Sequence, residues 1–483
     1  MINHFAVIQV VGVLLALVGL LMFLPLIFSW YYDSGDGSSF LLSGVITLAV
    51  GLLCYYGTKG KDNSVHKREG YLIVSMGWLA MFAFSALPYI ISGHIPSLTN
   101  AYFETVSGMT TTGATILTNI ESTPQGLLFW RSMTQWIGGM GIIVLTIAVF
   151  PFLGIGGIEL FVAEAPGPVS DKIHPRIKAT ARALWVIYVA LTCILCVLLY
   201  VEGMTFYDAI NHAMTTMATG GFSTKNASVA FFQAPIIHYT ILIFMFIAGV
   251  NYTIIIFLVR FRWARIWQNE EFRGYLIIVA FLSLLVTYLV FSSTDAGIER
   301  SFRDATFQVV SIITTTGFVT ADYTSWKLSL TALFFILLFA GASAGSTSGG
   351  IKLIRHVVFF KNSLLEFKRL LHPKAIIRLR MNHEIVPARI LTHILVFLLI
   401  YLGVFIVGTI VVSGLGLDLL SSMGAVATSL GNVGPGIGAV GPLDNFAGLN
   451  DPTKWVLMFL MLLGRLELFT ILILFTPYFW KTK

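Results

Sequence analysis

Charged residues are scarce in this chain: Asp, Glu, Lys and Arg make up 11% of its 483 residues, whereas hydrophobic residues make up 57%. Soluble globular proteins carry about 25% charged residues, so the composition excludes an ordinary soluble enzyme or binding domain. Uncharged windows of roughly 20 residues recur along the sequence, as transmembrane helices require. The sequence therefore predicts an all-α polytopic membrane protein.

Cysteine is also rare, with three residues in the chain, which excludes a disulfide framework. Cys193 and Cys196 form a CxxC inside an apolar run without a histidine or acidic residue beside them, so we interpret them as small packing residues. The ten histidines are scattered and show no metal-ligand spacing. Because no nucleophile or metal cluster is apparent, we expect no enzyme activity.

Ten apolar segments are predicted to cross the membrane, which places both termini on one side. Of the 30 Lys and Arg residues, 23 fall in one set of alternate loops and the tail, and five in the opposite loops. The positive-inside rule therefore predicts that both termini and the basic segment 352–389 are cytoplasmic. The predicted spans are 5–29, 39–57, 71–92, 126–150, 183–201, 236–259, 275–293, 327–358, 389–412 and 454–478.

Four further apolar segments, at 100–112, 208–219, 304–316 and 421–433, are too short to cross and indicate re-entrant helices. All four follow an outward-going span and precede an inward-going one, so the last eight spans form four units of helix, pore loop and helix. The predicted organisation is a helix pair at 1–70 and pore repeats at 71–170, 171–273, 274–380 and 381–483.

The four short segments also resemble one another in amino-acid sequence. "NAYFETVSGMTTTG" at 100–113 matches "DATFQVVSIITTTG" at 304–317 at 8 of 14 positions without a gap. "DAINHAMTTMATGG" at 208–221 keeps fewer matches, and "SSMGAVATSLGNVG" at 421–434 keeps mainly the final glycine. The four terminal glycines are 108, 96 and 117 residues apart.

Threonines followed by glycine favour an extended backbone that turns back at membrane depth, which is tolerated only where it is buried or lines a water-filled path. Four such turns around one central axis would present rings of carbonyl oxygens that can replace the hydration shell of a cation. Each short helix would also point its partially negative C-terminus at the axis. The pattern predicts a cation-selective pore.

Acidic residues near the starts of the short helices have the sign expected at a cation pore: Glu104, Asp208, Asp304 and Asp418. Attraction of ions is one interpretation of these carboxylates. Helix N-capping together with matching of the helix dipole is the other, and we favour it for Asp208 and Asp304.

Arg465, in "MLLGRLELF", is predicted to lie near the middle of the membrane, where a charge is costly and usually functional. It could tether backbone carbonyls below the pore turns or raise a barrier to cations; an ion pair with Glu467 or another carboxylate is the alternative.

"AGASAGSTSGGIK" at 340–352 falls halfway along the eighth span and cannot hold a regular helix well. We expect an unwound loop that blocks or opens the path, with close helix packing as the alternative. The glycines of "QWIGGMGII" at 135–143 are interpreted as packing residues.

Together these motifs resemble the superfamily of K⁺ transporters that comprises the Trk, Ktr and plant HKT proteins, and most closely the bacterial TrkH/TrkG type of membrane subunit. The resemblance covers nearly the whole chain. It implies K⁺ uptake through a channel-like pore in the bacterial inner membrane, with K⁺ as substrate and no covalent cofactor. It also implies a homodimer and a cytosolic regulatory subunit that binds a nucleotide, NAD or ATP. Membrane lipid surrounds such proteins, and no nucleic-acid partner is expected.

The resemblance also implies site residues. The ion-binding filter would comprise Thr110, Thr111, Thr112, Gly113, Ala218, Thr219, Gly220, Gly221, Thr314, Thr315, Thr316, Gly317, Gly431, Asn432, Val433 and Gly434. The gate would comprise Gly341, Ala344, Gly345, Ser346, Thr347, Ser348, Gly349, Gly350, Lys352 and Arg465. Plant members with serine at the first filter glycine resemble Na⁺ carriers, so Gly113 places this chain with the K⁺-selecting type.

A proton- or sodium-coupled K⁺ symporter is the alternative function. Coupled transporters commonly use inverted repeats and ionisable residues at the membrane midplane, whereas the four units here run in the same sense. The basic segment 352–389 could dock the regulatory subunit, although positive-inside topology also explains its charge.

Overall fold

The computed structural model of the chain describes residues 2–61, 66–153, 177–382 and 384–481. The predicted boundary between the first two repeats, at 170 and 171, lies outside the described residues, as do residues 172–176 of a predicted basic loop. The α-helices are His4–Leu21, Pro25–Tyr31, Gly37–Thr58, Lys67–Ser85, Leu87–Ile91, Leu98–Met109, Gln125–Leu153, Ile177–Val201, Phe206–Met217, Pro235–Ala248, Tyr252–Val259, Trp263–Gln268, Glu270–Phe291, Ile298–Ile313, Leu328–Leu337, Leu353–Leu371, Ala388–Gly414, Leu419–Gly431, Asp451–Arg465, Phe469–Leu472 and Pro477–Trp480.

The remaining regular structure is small. Short 3₁₀ helices cover Ser228–Phe231, Gly438–Val440 and Ile473–Phe475. Two antiparallel strands of two residues each, Arg380–Met381 and Glu384–Ile385, pair with each other, and the described chain is otherwise mostly helical, in agreement with the predicted all-α class. Asn382, between the strands, takes φ +47°, a conformation that asparagine tolerates in tight hairpins.

Six helices within the described part of the chain are long and apolar enough to cross a membrane, and eight if each of two sharply bent helix pairs is one span. The other two predicted spans correspond to the helix Gln125–Leu153 and to the segment that begins with Leu328–Leu337 and is interrupted before Leu353–Leu371.

Two spans predicted as continuous, 236–259 and 454–478, are broken. The first bends by 106° after Pro235–Ala248, and the second bends by 109° after Asp451–Arg465. At the first break, Asn251 caps the following helix by accepting a hydrogen bond from the Thr253 backbone, 2.8 Å away. At the second break, Glu467 takes φ +53°. Hydropathy averaged over a window is blind to such single-residue interruptions, which explains the error.

The N-terminal helices pack through glycines. A Cβ on Gly12 would lie 2.7 Å from the Gly51 carbonyl oxygen, and a Cβ on Gly51 would lie 2.7 Å from that of Gly12. The backbones of His4–Leu21 and Gly37–Thr58 therefore approach more closely than any larger residue allows, as is common between membrane helices.

The four predicted short helices are present, as Leu98–Met109, Phe206–Met217, Ile298–Ile313 and Leu419–Gly431. Side-chain caps begin three of them: Ser97, Thr205 and Asp418 each accept a hydrogen bond from the backbone three residues later. The C-terminal ends of all four are fully buried, and the candidate site begins there.

Candidate functional site: four glycine turns and an adjoining loop

The four short helices end in the same backbone turn. The residue before each predicted filter glycine donates its N–H to the carbonyl five residues earlier. The bonds run from Thr112 to Ser107, Gly220 to Thr215, Thr316 to Ser311 and Val433 to Thr428, at 2.8–2.9 Å. A second bond, from the residue two before the glycine to the carbonyl three residues earlier, completes a Schellman motif at each end. The weak sequence match of the fourth segment therefore conceals an equivalent backbone.

Each of these turns places a residue other than glycine in the left-handed region. Thr111, Thr219 and Thr315 have φ of 55°, 53° and 56°, and Asn432 has φ of 52°. Asparagine tolerates this conformation, but a β-branched threonine there is a conformational outlier that costs about 1–3 kcal/mol. Such strain persists only where the surroundings hold it, and it clusters at functional sites.

The four glycine turns lie against one another in cyclic order. A Cβ on Gly113 would collide with the carbonyl oxygen of Gly220, and one on Gly221 would collide with that of Thr316. A Cβ on Gly317 would lie 3.0 Å from the Gly434 nitrogen, and one on Gly434 would lie 3.0 Å from the Gly113 carbonyl oxygen. The contacts run from the first turn through the second, third and fourth and back to the first, so the turns close a ring.

The first and third turns are alike in their side chains as well. Thr110 and Thr112 share a hydrogen bond of 2.8 Å between their hydroxyls, and Thr314 and Thr316 share one of the same length. The second turn has Ala218 and Gly220 at these two positions and the fourth has Gly431 and Val433, so neither can form this bond.

The fourth turn departs most from the pattern. Gly113, Gly221 and Gly317 have φ of 76–85°, but Gly434 does not adopt a positive φ. It precedes Pro435, which restricts the backbone of the residue before it. The Asn432 amide donates to the Thr112 hydroxyl, 3.0 Å away, and to the Met461 carbonyl, 2.9 Å away, and so ties the fourth turn to the first.

Residues 341–350 form an irregular loop between two helices, as predicted. Its base is closed by a backbone bridge between Ala340 and Ile351. Gly345 and Gly350 take φ of 70° and 65°, conformations that other residues adopt only at a cost. The alternative of close helix packing through small residues is wrong for this segment because it is not helical.

The loop lies directly against the strained residues of the turns. The Gly349 N–H donates to the Thr315 hydroxyl, 2.6 Å away. The Thr347 hydroxyl donates to the Met217 carbonyl, 3.1 Å away, and lies 3.3 Å from the Thr219 hydroxyl. The loop thus contacts the second and third turns through hydrogen bonds, and Gly349 also packs against the Gly431 carbonyl of the fourth.

Further contacts hold the two ends of the loop. The Ala344 N–H donates to the buried Glu271 carboxylate, 2.7 Å away. The Lys352 ammonium donates to the Ser348 carbonyl, and Ser346 and Ser348 share a hydrogen bond of 2.8 Å. All predicted gate residues in 341–352 therefore belong to one ordered unit beside the ring.

Arg465 ends the helix Asp451–Arg465 and is 2% exposed. Its guanidinium donates to the Thr347 carbonyl, 2.8 Å away, and to the Gly138 carbonyl, 2.9 Å away. Glu467 pairs instead with Arg355. The alternative of an ion pair between Arg465 and Glu467 is therefore wrong. Arg465 binds two backbone carbonyls, one in the loop and one in the helix Gln125–Leu153, and its role in transport stays a prediction.

Glu104 is not exposed to incoming ions. It is fully buried and pairs with Arg131, with 2.6 Å between Oε1 and Nε. The same carboxylate accepts hydrogen bonds from the Ile116 backbone and the Thr115 hydroxyl, both 2.9 Å away. Arg131 in turn donates to the Ser223 carbonyl, 3.0 Å away. The pair therefore connects the chain that follows the first turn to the chain that follows the second.

The other three carboxylates differ in role. Asp418 is an N-cap, and Asp208 lies in the first turn of its helix, where its carboxylate accepts from Thr224, 2.5 Å away. For Asp208 the dipole part of the prediction is confirmed, but Thr205 is the N-cap of its helix. Both parts are wrong for Asp304, because its helix begins six residues earlier at Ile298. Asp304 lies 3.6 Å from Arg300 of the same helix instead.

Sequence reasoning missed three residues of this site: Arg131, Gln135 and Glu271. All lie in or at the edge of apolar helices, where a polar or charged side chain needs a partner. A charge inside an apolar span marks Arg131 in the sequence. Its partner Glu104 is 27 residues away, so the sequence does not show which residue it pairs with. The glycines of 135–143 pack as predicted, since a Cβ on Gly138 would strike the Met109 carbonyl and one on Gly139 would lie 2.8 Å from the Ala218 Cα.

Several helices suited to crossing a membrane, with buried short helices that converge on a ring of glycine turns, define a multi-pass membrane transport protein. The chain belongs to the TrkH family of cation transport proteins, whose family model matches residues 36–481.

Curated relatives match along the whole chain. The chain is 42% identical to the Trk system potassium uptake protein TrkH of Salmonella typhimurium, over 99% of this chain and 100% of the relative. It is 33% identical to the Trk system potassium uptake protein TrkG of Escherichia coli, over 98% of this chain and 97% of the relative.

A solved structure is similar in fold. The crystal structure of the potassium transporter TrkH from Vibrio parahaemolyticus superimposes with a TM-score of 0.90 at 37% sequence identity, covering 99% of this chain and 100% of that chain.

Proposed function

We propose that this protein takes up K⁺ across the bacterial inner membrane through the ring of four glycine turns. The observation that carries the proposal is the cyclic contact of the turns that contain Gly113, Gly221, Gly317 and Gly434. Backbone carbonyls at these turns would replace the hydration shell of the ion. The relatives' names, which specify potassium uptake, support the choice of ion.

The proposed architecture has ten transmembrane spans, with a helix pair at 1–70 and four pseudo-equivalent repeats at 71–170, 171–273, 274–380 and 381–483 around one pore. The equivalent Schellman turns of the four short helices support the repeats. The distribution of Lys and Arg among the loops supports cytoplasmic termini.

The K⁺ ions would bind at the predicted filter residues, 110–113, 218–221, 314–317 and 431–434. The C-termini of the short helices direct their partially negative ends at the same place, which favours a cation. The filter contains no ionised side chain, so the selectivity would come from backbone geometry.

The loop 341–350 would be the gate, and Arg465 would hold it in the closed position through the hydrogen bond to Thr347. The loop is hydrogen-bonded to the second and third turns and to the guanidinium at once. An ion that leaves the ring on the side of the loop meets the loop, so the loop must be displaced for uptake to occur.

Regulation would come from a cytosolic nucleotide-binding subunit, and the transporter would assemble as a homodimer. The helix Leu353–Leu371, which follows the gate directly, exposes Leu364, Phe367, Leu370 and Leu371 at 66–76%. An exposed apolar surface of this kind marks an interaction site. Movement of this helix by a partner would act on the gate through Lys352.

The test is flux of ⁸⁶Rb⁺ or K⁺ into proteoliposomes with and without an imposed pH or Na⁺ gradient. Flux that follows only the K⁺ electrochemical gradient supports a gated pore. Uphill uptake driven by protons or Na⁺ would support the symporter instead, and no uptake of K⁺ by intact protein would refute the proposal.

A further inference from the structure

The first half of the helix Gln125–Leu153 contacts the site at several points. Arg131, Gln135 and Gly138 lie four and three residues apart, and therefore on one face of the helix. Arg131 donates to the Ser223 carbonyl beyond the second turn, and Gln135 donates to the Gly220 carbonyl in the second turn. The Gly138 carbonyl accepts from Arg465, which also binds the loop. Gln135 is the member of this face that touches the ring, and it is fully buried.

The Gln135 amide binds the backbone on both sides of Gly221. Its Nε2 donates to the Gly220 carbonyl oxygen, 2.6 Å away, and its Oε1 accepts from the Phe222 N–H, 3.1 Å away. Only the NH₂ of an amide can donate and only its oxygen can accept here, so the two backbone groups determine the orientation of the side chain. Conversely, the side chain determines the direction of the Gly220 carbonyl.

Gln135 also explains why the second turn reads "ATGG" instead of "TTTG". A Cβ on Gly220 would lie 2.4 Å from the Cδ and Oε1 atoms of Gln135. Threonine therefore cannot occupy this position while the Gln135 side chain is there. In the first and third turns the equivalent Thr112 and Thr316 bond to Thr110 and Thr314. In the second turn a side chain from another helix takes the place of that threonine pair.

The Gly220 carbonyl is part of the ring because its oxygen lies against Gly113 of the first turn. Without Gln135, this peptide would have no equivalent of the threonine pair and no fixed carbonyl direction. Small displacements of one ligand matter for a site that discriminates ions through the number and placement of its carbonyl oxygens.

We propose that Gln135 is a positioning residue for the filter, which holds the Gly220 carbonyl in the direction required for selection of K⁺ over Na⁺. The inference rests on the proposed function. The Gln135 side chain acts on the ion through the peptide between Gly220 and Gly221, and it does not contact the ion itself.

The experiment compares Gln135→Met and wild type by ⁸⁶Rb⁺ uptake under competition with K⁺ or Na⁺. Methionine keeps the length of the side chain but loses both hydrogen bonds. We expect the preference for K⁺ over Na⁺ to fall by about tenfold, the size of effect expected from loss of the hydrogen bond that orients the Gly220 carbonyl. Gln125→Met, at the first residue of the same helix, is the control and should keep the wild-type preference.

A combined variant tests whether a threonine pair in the second turn can replace the Gln135 amide. Gln135→Ala alone should lose selectivity, and Gln135→Ala with Ala218→Thr and Gly220→Thr should regain it, because the second turn then has the sequence of the first and third. A merely structural role for Gln135 predicts lower protein stability in these variants with unchanged ion preference, and that result would overturn the proposal.

A second measurement does not require conduction. The melting temperature of the detergent-solubilised wild type should be higher in KCl than in NaCl, and the difference should be smaller in Gln135→Met. An undiminished difference in this variant would overturn the inference. Wild-type protein without K⁺ transport would refute the proposed function itself, so the two failures are distinguishable.

Discussion

The Arg465 guanidinium donates to the Thr347 carbonyl, 2.8 Å away, and thereby joins the end of the last long helix to the middle of the irregular loop. Thr347 also bonds to the end of the second short helix through its hydroxyl. Thr347 is therefore held from two sides, by the buried Arg465 guanidinium and by the end of the second short helix.

Replacing Arg465 by glutamine should raise K⁺ flux several-fold, because the loop loses its charged donor and the path loses a buried positive charge. ⁸⁶Rb⁺ uptake into proteoliposomes, normalised to folded protein, measures the effect. Arg300→Gln is the matched control, since the Arg300 side chain is 69% exposed, and it should leave the flux unchanged. Equal flux in Arg465→Gln and wild type would argue against a gate at this position.

Deleting Ser346–Ser348 should also raise flux, because it removes the Thr347 contacts with the ring and with Arg465. The increase should be at least as large as that of Arg465→Gln. In the combined variant the two effects should not add, since both remove the same contact. Additive increases would show that Arg465 acts on ions independently of the loop.

Replacing Gly113 or Gly317 by serine should lower the preference for K⁺ over Na⁺ by tenfold or more. Both glycines have positive φ, and the added Cβ would collide with the Gly220 carbonyl or lie 2.8 Å from Pro435, so the ring must distort. Competition of Na⁺ with ⁸⁶Rb⁺ uptake reports the change. Gly403→Ser is the control because nothing lies within 4 Å of a Cβ there.

Removing one partner of the buried pair, as in Arg131→Met, should destabilise the protein by about 3–5 kcal/mol, because the Glu104 carboxylate then remains buried without its cation. Thermal unfolding in detergent measures this loss. Glu104→Gln combined with Arg131→Met should recover part of it. The pair of Arg300 and Asp304 provides the comparison because the Arg300 side chain is 69% exposed, and Arg300→Met should cost at most about 1 kcal/mol.

The fourth turn shows where sequence comparison was weakest. "GNVG" shares mainly its final glycine with "TTTG", but Asn432 adopts the same left-handed conformation as Thr111, Thr219 and Thr315. Both residue types fit the turn for different reasons: asparagine tolerates positive φ, whereas the threonines are held there by their surroundings. Backbone hydrogen bonds define this repeat more strongly than side chains do.

The amino-acid sequence by itself determined the membrane class, the short helices and the unwound loop. These features follow from local composition and periodicity, which act within a few turns of chain. Only the tertiary structure decided that Glu104 pairs with Arg131, that Gln135 occupies the place of a threonine at Gly220, and that Arg465 binds Thr347 and Gly138. Those contacts join residues 27 to 327 positions apart, and no local pattern specifies which distant carbonyl or carboxylate a buried polar group will meet.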